Sequence, residues 1–146
     1  MNLSPRRSFK LRPLLLGMCS RTGRALLPSA SGKASAADRL LAMSGLTRSK
    51  FMAAFRRENL LPGKEWDQTK ARRSARRIKL RGDVVVLGKS VWRALGLPRS
   101  PFFSEVAAGA ATFHLVPHPS GRCRAYNVSA TRSATGRLLR RLATRP

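Results

Sequence analysis

"RIKLRGDVVVLGKSVWRALGLP", residues 77–98, is the stretch on which the fold turns. "DVVVLG", residues 83–88, is a continuous β-branched run, the pattern of a strand covered on both faces. Lys89 to Pro98 then reads as a helix stopped by Gly96 and Pro98. A buried strand followed at once by a helix is half of a parallel crossover unit. The same letters allow a second reading, in which "RIKL" pairs antiparallel with "VVVL" around Arg81, Gly82 and Asp83 as a two-stranded wing. The first reading needs a helix over 67–79 feeding a parallel strand; the second needs a hairpin arm just before Val84.

Upstream, "RPLLLGM" (12–18) is a short apolar run ending at Gly17 and reads as a buried strand, followed by a Gly/Ser/Pro-rich loop. "ADRLLAMSG" (37–45) reads as a helix stopped at Gly45, and "TRSKFMAAFRREN" (47–59) as a second with Thr47 as N-cap and Phe51 and Phe55 one turn apart. "ENLLPG" (58–63) is a brief extended piece. "WDQTKARRSARRIKL" (66–80) has Ala71, Ala75 and Ile78 at helical spacing, with Arg72, Arg73, Arg76 and Arg77 on the other side as a solvated basic face. Downstream, "ATFHLVP" (111–117) is another strand, and "SATGRLLRRLA" (133–143) is a helix with Leu138, Leu139 and Leu142 on one side. Strands alternate with helices, so the expected fold class is α/β: three layers, α/β/α, with a four-stranded parallel sheet.

At 146 residues the chain suits one domain that buries roughly 68–70% of its unfolded surface. We expect a basic leader over 1–11 and a single domain over 12–146. The charge is lopsided: 30 Lys+Arg against 6 Asp+Glu, net +24, with nothing acidic before Asp38 or after Glu105. Such a surface attracts polyanions through counterion release. Two cysteines, Cys19 and Cys123, are too few for a disulfide framework or for a cluster that needs four thiolates. "LLLGM" is too short and too closely flanked by arginine to be a membrane span. "GKS" at 88–90 fails as a phosphate loop, because the spacing from Gly82 is one residue too long and Gly82 precedes the strand. The expected location is the cytoplasm; the Arg- and Ser-containing, acid-free first 37 residues leave organelle import as the alternative.

In parallel sheets ligands bind beyond the carboxyl ends of the strands. The loops after the four expected strands begin at Gly17, Asn59, Gly88 and His118, so the unusual residues share one rim. "FHLVPHPSGRCRAYN" (113–127) sets His118, Pro119, Ser120 and Gly121 at the end of the last strand.

These pieces resemble the uracil-DNA glycosylase superfamily. "HPSGR" at 118–122 after an apolar strand looks like its second motif, and "ENLLP" resembles the Asn-bearing second strand of its single-strand-selective and mismatch-specific branches. "LLLGM" sits where the first motif belongs, and "DVVVLGKSVWRALGL" looks like the third strand and its helix. The resemblance runs from about Arg12 to the end, and short bacteriophage members look closest. It implies hydrolysis of the N-glycosidic bond of uracil or another deaminated base flipped out of single- or double-stranded DNA. His118 would stabilise the leaving base, Asn59 would read its amide edge, Gly17 and Met18 would line the pocket, and Ser120, Gly121, Arg122 and Arg124 would hold phosphate. Tyr126 or Phe113 would offer a stacking surface. The resemblance implies no metal and no organic cofactor, and the chain is expected to be a monomer.

The chain departs from the family at the water-activating position: Gly17 is followed by Met18, Cys19 and Ser20, with no carboxylate. Cys19 takes that catalytic place as a weak orienter of water, or is a small loop filler. A general base is worth about 10² to 10⁴ in rate, so the expected enzyme is slow, or the fold only binds DNA. A winged helix-turn-helix module, built from "ADRLLAMSGLTRSKFMAAFRREN" and the wing above, is the remaining alternative. His114, inside a strand, reads as structural.

Overall fold

The computed structural model describes residues 11–19, 35–120 and 123–145. The fold is α/β, with helices packed on both faces of a five-stranded mixed sheet. The strands are β1 (Leu14–Gly17), β2 (Arg56–Asn59), β3 (Gly82–Leu87), β4 (Glu105–Ala108) and β5 (Ala111–Val116), in the order β2-β1-β3-β5-β4. β1, β2, β3 and β5 are parallel neighbours; β4 pairs antiparallel with β5 at the edge.

The expected four-stranded, wholly parallel sheet is therefore corrected by one strand. The cause is a two-residue turn at Gly109-Ala110: Ala108 faces Ala111, and Gly109 has φ 60°. A glycine with positive φ at the first turn position suits the tight hairpin connections that match strand twist. β3 itself is central, because Val84 lies opposite Leu14 on one side and Phe113 on the other. Residues 78–81 form no strand, so the wing hairpin is absent.

The apolar run Val84–Leu87 is continuous because both sides of the sheet are buried. Val84 and Val86, with Leu14, Leu16, Phe113 and Leu115, pack under α3 (Gln68–Arg77) and α4 (Lys89–Ala94) through Ala71, Val91 and Trp92. Val85 and Leu87, with Leu15 and Val116, pack under α1 (Ala36–Ser44), α2 (Arg48–Ala54) and α5 (Ser129–Thr144) through Leu40, Phe51, Phe55, Leu139 and Leu142.

Local chemistry sets the element ends. Ser35 and Asp38 form a reciprocal capping box on α1, and Gly45 closes it in the left-handed region. Thr47 caps α2 as the sequence predicts, but α2 stops at Ala54 rather than running to Asn59. Phe55 turns extended, and Arg56–Asn59 pair with β1 instead. The second parallel strand is thus the polar "RREN", which begins two residues before the expected "ENLLPG" and overlaps it at Glu58 and Asn59. α1 and α5 approach closely at Gly136, where a β carbon would fall on the Met43 carbonyl oxygen.

Candidate functional site at the carboxyl rim of the sheet

The parallel register places the strand ends side by side. Gly17 and Asn59 are direct partners at the ends of β1 and β2. The ladder continues past them, with Leu60 N–H donating to the Gly17 carbonyl and Leu61 N–H to that of Met18. Leu87 is opposite Val116, and the Gly88 N–H donates to the Val116 carbonyl at 2.8 Å. The rim therefore carries Asn59, Gly17, Gly88 and His118, in that lateral order. Three inter-strand spacings of about 4.8 Å separate the β2 and β5 backbones, about 14 Å in all.

His118 is held by its neighbours on two sides. Its Cβ would lie 3.1 Å from a β carbon on Gly88, which has φ 97° and ψ 160°. Only glycine fits such a backbone, so the imidazole sits over a position that carries no side chain. Pro117, immediately before it, is anchored by its carbonyl, which accepts a 2.6 Å hydrogen bond from the Tyr126 hydroxyl. The Thr135 hydroxyl of α5 donates in turn to Tyr126 Oη at 3.4 Å. Burial pushes the Tyr126 pKa up to about 12, so the phenol stays a donor at neutral pH. Burial also pushes the His118 pKa below the ordinary 6.5, which leaves a neutral ring at pH 7 with one N–H to donate.

Met18 and Cys19 are half-buried and pack against the core on the α3/α4 side of the sheet. Desolvation raises the Cys19 thiol above its ordinary value, so it is an S–H group at neutral pH, unable to take a proton from water. Ser20, Gly121 and Arg122 lie outside the described residues. Ser120 closes the turn after Pro119, its carbonyl accepting from the Cys123 N–H, and Arg124 is exposed on the short 3-10 turn over 124–127.

The two aromatic expectations resolve differently from the sequence reading. Phe113 lies within β5, 6% exposed and in the core, and Tyr126 is committed to Pro117. Two half-buried aromatics, Trp66 and Phe102, pack against the same core as Met18 and Cys19, and Trp66 follows β2 in the chain. Its indole N–H donates to Gln68 Oε1, and Gln68 reaches the Ser90 carbonyl just beyond Gly88. The available signal was a tryptophan in the Pro-Gly-rich connection after β2.

His114 is buried among other partners: its Nε2 lies 2.9 Å from Asp83 Oδ1, and its Nδ1 lies 3.9 Å from Glu105. Arg145 closes on the same Asp83 carboxylate at 3.1 Å. This network ties β3, β5 and the end of α5 together. The cleft beside it, about 480 Å³, is lined by Phe103, Glu105, His114 and Arg137. Asn59 and His118 line neither this cleft nor the two beside α4. Among those residues no three His, Cys, Asp or Glu side chains gather as metal ligands, and no helix is long and apolar enough to cross a membrane.

No known protein-family model matches the chain, and a search of curated proteins finds no similar sequence.

Proposed function

We propose that the chain is a DNA-binding protein of the three-layer, uracil-DNA-glycosylase-like kind, whose carboxyl rim takes an extruded, deaminated base. The observation that carries this reading is the parallel register that sets Asn59 and His118 at one end of the sheet, with His118 fixed over Gly88. The distance of about 14 Å along the rim between the two strands is of the order spanned by a flat base with a side chain on either edge.

In this reading the Asn59 carboxamide, donor and acceptor in one plane, pairs with the amide edge of the base. The neutral His118 ring donates its N–H to the carbonyl on which charge grows as the bond to the sugar breaks. The water oxygen bonds to the anomeric carbon, the bonding pair leaves with the base, and a water proton ends on the base or in solvent. The net charge of +24 supplies attraction to the phosphates. The chemical assistance this arrangement offers is leaving-group stabilisation, since burial raises the Cys19 pKa and keeps its thiol protonated at neutral pH.

That last observation favours a second reading, in which the rim binds a base without hydrolysing its bond. The test is to incubate the protein with uracil-containing single- and double-stranded oligonucleotides and measure alkali-labile abasic sites. Slow site formation is expected, falling about 10²- to 10³-fold in His118→Ala, the size of losing one preorganised donor. No sites from wild type, with salt-sensitive binding retained, selects the binding-only reading. Equal rates for wild type and His118→Ala remove the role assigned to His118.

A further inference from the structure

We infer that the groove between α3 and α4 is a track for the phosphodiester backbone of a DNA strand, continuing from the carboxyl rim down the side of the molecule. This rests on the DNA-binding half of the proposed function and not on its chemistry. Two clefts make up the track. The first, about 420 Å³, is walled by Arg72 and Arg76 of α3 and Arg93 of α4 over a floor that includes Ala75, Ala94 and Gly96. The second, about 380 Å³, is lined by Arg93, Arg99 and Lys89. Arg93 lines both, so the two clefts adjoin at its side chain, and Lys89 follows Gly88 at the rim.

The charge in this groove is uncompensated. Among the described residues the ion pairs at Asp83 and Glu105 lie on the α5 side of the sheet, and none of them involves Arg72, Arg76 or Arg93. No carboxylate lines either cleft. Arg72 and Arg76 stand one helical turn apart, where like charges are destabilising, and Arg93 faces them from the next helix. Three guanidiniums converging without a counter-charge cost folding energy that an anionic ligand would recover.

The groove is also built to keep its shape. Ser74 of α3 donates to the Leu60 carbonyl and ties that wall to the end of β2, while the Gln68 amide at the start of α3 reaches the Ser90 carbonyl of α4 at 3.5 Å. The Trp92 indole N–H donates to the Pro98 carbonyl at 2.8 Å and fixes the turn that carries Arg99. Lys89 lies over the Phe102 ring, 4.7 Å from its centroid, which restrains the ammonium beside the rim. Gly96 keeps the floor open, since nothing lies within 4 Å of where its β carbon would be. Planar guanidiniums on a rigid frame suit phosphate oxygens, and several in a row suit a chain of phosphates better than a single small anion.

The test is a salt titration of binding to an unmodified oligonucleotide without uracil, single-stranded in one arm and duplex in the other, read by fluorescence anisotropy. Arg72→Gln/Arg76→Gln/Arg93→Gln is compared with Lys50→Gln/Arg137→Gln/Arg141→Gln, which removes the same charge from the opposite layer. With about 0.7 of slope per phosphate contact for single strands and 0.9 for duplex, the groove triple is expected to flatten the log K against log salt plot by about 2 or 3. The control triple is expected to change the slope by less than about 1. Arg93→Gln alone, at an exposed position, should remove about one contact and guards against misfolding of the triple. Equal effects of the two triples, an unchanged slope in the groove variants, or no binding by wild type at low salt would each overturn the track. Failure of base excision leaves this result untouched, because the probe carries no excisable base.

Discussion

Gly88→Ala tests the link between fold and site most directly. At φ 97° and ψ 160° the residue occupies a region open essentially to glycine, and a substituted side chain there costs about 1–3 kcal/mol in backbone strain. The added methyl would also lie 3.1 Å from His118 Cβ, inside the 3.5–4.0 Å of an ordinary carbon contact. Crowding of this kind adds about 1 kcal/mol, for a total of about 2–4 kcal/mol. At roughly 3 °C per kcal/mol for a domain of this size, the midpoint should fall by about 6–12 °C. Gly96→Ala separates the two contributions, because φ is 74° there and the surrounding space is empty; strain alone should cost about 1–2 kcal/mol. Gly63→Ala, with nothing within 4 Å and no positive φ, should be close to neutral. Urea denaturation of the three variants gives the comparison, provided the slope with denaturant stays constant. If Gly88→Ala is no worse than Gly96→Ala, His118 does not sit over Gly88, and the geometry behind the proposed base contact fails.

Gly136→Ala should destabilise by more than about 2 kcal/mol in the same denaturation assay, because the methyl would meet the Met43 carbonyl at the α1–α5 crossing; helix propensity alone predicts a gain of about 1 kcal/mol, so the sign decides. The His118 pKa is depressed in the folded state, so the unfolded chain binds its proton first as pH falls. Stability from this residue should be complete above about pH 6.5 and decline as pH drops towards the folded-state value, and His118→Gln should flatten that limb of a stability–pH profile. Tyr126→Phe removes the hydrogen bond that anchors the Pro117 carbonyl and should cost about 1–2 kcal/mol in thermal unfolding, with a parallel loss of any abasic-site formation that depends on His118.

The readable parts of the fold were those where one local rule acted alone. Val84–Leu87 announced burial on both faces because no polar residue interrupts it, and Gly45 and Thr47 announced helix ends through capping chemistry. The strand β2 was expected two residues too late, because "FMAAFRREN" keeps a helix-compatible composition and only pairing with Leu14–Gly17 makes its last four residues extended. The strand β4 was hidden because Ala107, Ala108 and Gly109 have little strand preference, and the tight turn at Gly109 creates it. At the site, the shared rim of Asn59 and His118 followed from strand direction. The commitment of Tyr126 to a backbone carbonyl, and the convergence of Arg93 on Arg72 and Arg76, depend on contacts between separate elements that no spacing reveals.

The antiparallel hairpin changes the standing of the strand that carries His118. With β4 on its outer side, β5 is laddered on both flanks. Its amide protons are thereby placed among the last in the sheet to trade with deuterium, while those along the outer flank of β4 exchange early. The rim loop at Pro117 and His118 thus follows a strand flanked on both sides over Ala111–His114, which is expected to open later than the sheet's outer edge.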